Sequence, residues 1–173
     1  MKKSLLCVCI YCISYAAIAQ YDPVAVNYGV VTTKNLGNAN ELGAGVRIEY
    51  AYNCSTTYMA EYTRMFSLGG EESADGYNEL ALGVNLILFN WYPTTITAGF
   101  GYVVNDSSFY QEVKGDNSIG ISSGDLHHGA QIKLRALHEV TSSIHIFGEL
   151  NIKSLGRRYD TFLIGFSYDF YGR

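Results

Sequence analysis

The stretch YDTFLIGFSYDF, residues 159–170, alternates between two kinds of side chain. In an extended chain Phe162, Ile164, Phe166, Tyr168 and Phe170 fall on one side, and Thr161, Gly165, Ser167 and Asp169 on the other. Side chains of a β-strand repeat every two residues, so this segment has an apolar face and a polar or small face. Working back toward the N-terminus, the same alternation returns along the chain, and eight strands are expected in all.

The first expected strand, residues 25–33, is weakly marked. The second, 41–52, sets Leu42, Ala44, Val46, Ile48, Tyr50 and Tyr52 against Glu41, Gly43, Gly45, Arg47, Glu49 and Ala51. The third, 56–68, sets Tyr58, Ala60, Tyr62 and Phe66 against Thr57, Met59, Glu61 and Thr63, with Arg64 on the apolar side. Arg64 lies far from the tight turn at 53–55, so it is expected near a membrane surface, where a wall charge is tolerated. The fourth strand, 77–89, opposes Leu80, Leu82, Val84, Leu86 and Leu88 to Glu79, Ala81, Gly83 and Asn85. The fifth, 94–104, opposes Ile96, Ala98, Phe100, Tyr102 and Val104 to Thr95, Thr97, Gly99 and Gly101. The sixth, 127–138, carries Lys133 and Arg135 on its polar face, and the seventh, 143–153, carries His145, Glu149 and Asn151. The longest irregular stretch is 105–126, within which 108–113 reads as an extension of the fifth strand.

Connections alternate in length. Those after the second, fourth and sixth strands (53–55, 90–93, 139–142) are short, and those after the first, third and fifth are longer and polar. Short turns at one end and longer loops at the other are the pattern of an up-and-down barrel that crosses a membrane. The strands match the roughly 9–11 residues that a tilted membrane strand needs. An even count lets the first and last strands pair, which removes both sheet edges. The expected fold is therefore all-β, an eight-stranded antiparallel up-and-down transmembrane β-barrel. The competing reading is a soluble barrel that carries an apolar ligand, with the charged face turned outward. The many Gly, Ala, Ser and Thr residues of the polar face suit a crowded small interior better than a solvated exterior.

Residues 1–19 read as a signal peptide, with Lys2 and Lys3 before a short apolar run and a cleavage pattern at Ala17-Ile18-Ala19. The barrel domain is then residues 20–173. The formal net charge of −4 becomes more negative when those two lysines leave, which argues against a nucleic-acid binder. Three of the 4 cysteines (Cys7, Cys9 and Cys12) sit in the signal, leaving Cys54 without an internal disulfide partner or a multi-cysteine metal site. The 15 Tyr and 18 Gly against 2 Pro fit strands that curve and meet a membrane interface.

With the apolar face against lipid, the interior collects Arg47, Glu49, Glu61, Glu79, Lys133, Arg135 and Glu149. A barrel of eight strands is just wide enough for side chains to fill, and unpaired charges there are costly. Glu49, Glu61 and Glu79 are thus expected to face Lys133 and Arg135, or Arg47, across the lumen. The network fills and rigidifies the barrel; a narrow or gated pore is the alternative. Catalysis would need a serine hydroxyl beside His127, His128 or His145. Neighbouring His127 and His128 point oppositely in a strand, so they do not make a metal site. No cofactor motif is present.

The signal ending Ala17-Ile18-Ala19, the eight alternating segments and the terminal Tyr168-Asp169-Phe170 resemble the small outer-membrane barrels of Gram-negative bacteria, the OmpA-like and OmpX-like class. The tyrosine-rich, Gly-x-Gly strands are similar in style to small barrels of Bacteroidetes. The resemblance implies that a C-terminal strand ending in Phe166, Tyr168 and Phe170 is the insertion signal read by the barrel assembly machinery. It also implies an outer-membrane location among outer-membrane lipids. The expected role is that of a structural or accessory subunit of a larger outer-membrane complex. Adhesion surfaces and lipid-modifying enzymes are further roles of that class, and a lipid-modifying enzyme is the alternative.

Overall fold

The computed structural model describes residues 26–37, 41–68, 76–108 and 120–169. The signal at 1–19, most of the expected extension at 108–113 and Phe170 lie outside the described residues. Nine strands are present among those described: β1 (Val26–Asn35), β2 (Glu41–Asn53), β3 (Thr56–Ser67), β4 (Asn78–Trp91), β5 (Thr94–Asn105), β6 (Ile121–Ser123), β7 (Leu126–Thr141), β8 (Ile144–Lys153) and β9 (Thr161–Asp169). The sheet order is β5-β4-β3-β2-β1-β9-β8-β7-β6, and β5 also pairs with β7. That extra pairing joins the ends of the sheet, so eight strands form a closed antiparallel ring. The ring closes between first and last strands through Tyr28 opposite Tyr168 and Lys34 opposite Phe162. The backbone groups of both edges are thereby satisfied.

The structure departs from the sequence expectation in three respects. The short β6 lies within the stretch read as irregular and forms a hairpin on the outer end of β7. Gly124, at φ 64°, supplies its turn with a left-handed backbone that other residues rarely adopt. Three residues are too few to show an alternation. Secondly, β9 begins at Thr161, because residues Arg157–Tyr159 form a single 3-10 turn. Gly156 (φ 113°) reverses the chain there, and the Asp160 carboxylate accepts a hydrogen bond from the Lys153 backbone N–H at 2.8 Å. Tyr159 therefore points into the mouth of the barrel and is fully buried. Thirdly, β4 and β7 run on to Trp91 and Thr141, which shortens their turns. Each of the three short hairpins carries a register shift beside its turn, at Ala51/Asn53, Ile87/Phe89 and Glu139/Thr141. Such bulges sharpen the local twist where a barrel rim must bend.

The facing of the strands is decided by exposure. Val46, Leu82, Phe100, Ile132 and Ile164 are 51–59% exposed on the outside, whereas Arg47, Glu61, Arg135 and Glu149 are 0–4% exposed inside. A ring of exposed Leu, Ile, Val, Phe and Tyr is stable against hydrocarbon and not against water. The soluble-carrier reading is overturned, since it requires the reverse arrangement. Inside, two apolar clusters bracket the charges. Met59, Met65, Tyr77, Ala81, Val103, Leu155 and Tyr159 pack toward the end that carries the long loops. Val31, Phe147 and Leu163, with Leu137, pack toward the end of the short turns.

Candidate functional site: the charged lumen

Arg47 and Glu49 on β2, Glu61 on β3, Glu79 on β4, Lys133 and Arg135 on β7, and Glu149 on β8 all project inward. Spacings of two along each strand keep the charged residues on one face. Arg47 sits directly opposite Glu61 in the β2–β3 ladder and donates from Nε to Glu61 Oε2 at 2.7 Å. Its two terminal nitrogens cross the lumen and donate to both oxygens of Glu149, each at 2.7 Å. The planar guanidinium fork matches a carboxylate in just this two-bond manner.

Arg135 is the ladder neighbour of Glu149, yet it bonds to Glu49 on the opposite wall. It also donates to Thr97 Oγ1 at 3.3 Å, while Asn85 Nδ2 donates to Glu49 Oε1 at 3.1 Å. Lys133 Nζ lies 3.7 Å from Glu149 Oε1 and 2.7 Å from the Met59 sulfur. Three carboxylates thus balance three cations in the middle of the barrel. Every member is nine-tenths or more buried, so the low-dielectric surroundings make both the pairing and any break in it count heavily.

Glu79 takes a different partner from those expected. It pairs with Lys153 at the outer end of β8, in place of Lys133, Arg135 or Arg47. Lys153 shares its parity with Glu149 and Asn151, which is the signal that could have placed it inside. Glu41 pairs with Arg158 of the 3-10 turn at 3.0 Å and accepts from Asn35 Nδ2 at 2.6 Å. Phe147 is a second residue that the alternation placed inside without its role being evident. Its ring centroid lies 4.8 Å from the Arg47 guanidinium carbon and 5.7 Å from that of Arg135. The ring takes both cations onto its faces or edge, within cation–π range. Gly165 opposite makes room for it: a Cβ there would meet the Phe147 ring, with Cε1 at 2.8 Å.

The mouth on the long-loop side is closed by aromatic packing. Tyr77 and Tyr159 meet edge to face at 5.7 Å, and the Tyr159 hydroxyl donates to Ser107 Oγ at 3.1 Å. With Leu155 also fully buried there, the described lumen is a packed interior of charges between two apolar layers.

The histidines separate. His127 points inward and is buried, and His128 points outward with Nδ1 2.9 Å from the Tyr102 hydroxyl. His138 lies outside, 2.9 Å from Thr94 Oγ1. His145 is at the short-turn end of the lumen, opposite Ser167 in the β8–β9 ladder and 3.7 Å from Asp169 Oδ1. These three groups point into the barrel, away from lipid. Among the described residues no group of three or more His, Cys, Asp or Glu side chains is placed to hold a metal ion. Phe166 and Tyr168 are 57% and 49% exposed on the outer wall of β9.

No protein-family model matches the chain, and no curated protein sequence matches it. Solved structures do. The N-terminal β-barrel domain of OprF from Pseudomonas aeruginosa superposes at a TM-score of 0.59 with 11% identity, over 84% of this chain and 97% of that one. Neisserial surface protein A gives 0.54 and 11%, over 85% and 96%. A de novo designed transmembrane β-barrel gives 0.58 and 13%, over 87% and 98%. Identities this low carry the architecture and nothing finer, and a designed relative underlines that fold and role are separable. The chain has the closed eight-stranded antiparallel fold of the small membrane-spanning outer-membrane barrels.

Proposed function

We propose that this protein is a non-enzymatic barrel of the bacterial outer membrane, acting as a structural or accessory subunit of a larger outer-membrane complex. The observation that carries this reading is the filled lumen. Its charges neutralise one another in pairs between two apolar layers, so the surfaces left for work are the lipid-facing wall and the loops at the long-loop end. The lumen network of Arg47, Glu49, Glu61, Glu79, Lys133, Arg135 and Glu149 serves to rigidify that scaffold. Residues 1–19 direct export, residues 20–173 form the barrel, and Phe166, Tyr168 and Phe170 present the insertion signal to the barrel assembly machinery. The likeness to barrels of Pseudomonas and Neisseria supports the outer-membrane location.

The test is purification of the native protein in mild detergent followed by identification of what accompanies it. A fixed partner in constant ratio is the expected result. Recovery of the barrel alone, with a lipid-hydrolysing activity that His145→Ala abolishes, would overturn the proposal in favour of an enzyme.

A further inference from the structure

Arg64 is the cation that the lumen does not explain. It lies on the lipid side of β3, between Tyr62 and Phe66, which are 47% and 50% exposed on the same face. Its ladder neighbours are Ala44 on β2 and Asn78 on β4. Asn78 begins β4 at the long-loop end, so Arg64 stands where the apolar wall gives way to polar groups. The Tyr62 hydroxyl donates to Asn78 Oδ1 at 2.7 Å, and the Tyr102 hydroxyl meets His128 on the same rim.

Arg64 makes no ion pair with any described residue. The wall carboxylate on this side, Asp106, has both oxygens taken by Asn78, at 2.6 Å to its backbone N–H and 2.7 Å to its side-chain amide. A guanidinium at the headgroup level of a lipid-facing wall costs little in itself, about 0–1 kcal/mol. Its forked donors match a phosphate, and the exposed Tyr62 and Leu80 side chains on the midplane side offer apolar contact to whatever carries that phosphate. A free anion in water does not approach from the lipid side.

Resting on the membrane reading above, we infer that Arg64 holds the phosphate of an anionic outer-leaflet lipid, whose chains run toward the midplane along Tyr62 and its ladder neighbour Leu80. The experiment uses the full chain in nanodiscs of phosphatidylcholine containing a minor fraction of phosphatidylglycerol, with retained lipid counted by native mass spectrometry. The wild type should retain phosphatidylglycerol above its share of the bilayer. Arg64→Gln should lower that preference about fivefold, the worth of one basic residue near a charged surface. Arg64→Lys should keep part of it, and Arg157→Gln, at the one exposed residue of the 3-10 turn, should change nothing. Equal preference in Arg64→Gln and wild type overturns the headgroup site while leaving the membrane reading intact. Failure of the wild type to insert into that bilayer, seen as unshifted migration on unheated gels, overturns both.

Discussion

Glu149→Gln tests the charge balance of the lumen most directly. Glu149 is fully buried and receives two 2.7 Å hydrogen bonds from Arg47, with Lys133 Nζ at 3.7 Å. The amide keeps the shape and loses the charge, so Arg47, Lys133 and Arg135 are left facing Glu49 and Glu61 alone. Removing one partner of a buried pair costs about 3–5 kcal/mol, because the remaining charge is desolvated without compensation. Lys133→Met in the same chain removes that surplus charge and places a flexible apolar side chain beside Met59, which Lys133 already touches. The double variant should therefore be more stable than the sum of the single losses predicts, by at least about 1 kcal/mol. Urea unfolding from lipid vesicles measures this through the emission of Trp91, the single tryptophan. The reasoning fails if Glu149→Gln costs less than about 1 kcal/mol, or if the two single changes add without coupling.

The wall and the rest of the interior give further expectations. Leu82→Arg, on the exposed face of β4, should cost about 2–4 kcal/mol in a bilayer if that position is near the midplane. The same titration in vesicles checks it, and no loss would mean that the wall does not meet hydrocarbon. Phe147→Ala empties the layer beneath Arg47 and Arg135 and should cost about 3–5 kcal/mol; an unchanged unfolding midpoint would deny the ring its packing role. Paired changes Phe166→Ser and Tyr168→Ser should reduce outer-membrane levels in cells far more than they slow refolding into vesicles. Parallel losses in both assays would assign these residues to wall stability and not to the assembly signal.

Much of the barrel was legible because a membrane strand writes two environments into alternate residues. The stretch 41–52 illustrates this: one register places Arg47 and Glu49 inside, and a shift by one places both in lipid. Strand ends were less legible. Tyr159 shares the parity of Thr161 and Gly165 and so falls on the lumen face, but nothing in the alternation marks the 3-10 turn that ends the strand there, because the reversal at Gly156 depends on its backbone conformation. The hairpin of β6 was hidden by its brevity. Partner choice inside was the least legible, since parity says which residues face the lumen and says nothing of their height in it. Glu79 meets Lys153 for that reason, and Arg135 passes over its ladder neighbour Glu149 to reach Glu49.

That last feature explains why the interior is ionic when an apolar filling would exclude water as well. Ladder hydrogen bonds join only neighbouring strands. The Arg47–Glu149, Arg135–Glu49 and Lys153–Glu79 contacts instead tie strands from opposite parts of the ring, across 102, 86 and 74 residues of chain. Apolar side chains tolerate rearrangement among themselves, whereas each of these charges has a limited set of partners at the right height. A register slip on β2 by one residue would turn Arg47 and Glu49 outward together and strand Glu61, Glu149 and Arg135 inside. The lipid side penalises the arginine, by up to about 2–4 kcal/mol at mid-depth, and the lumen side penalises the orphans. The ion pairs therefore discriminate against misregistered closure of the ring from both faces of the same strand, a selectivity that the backbone ladder alone does not supply.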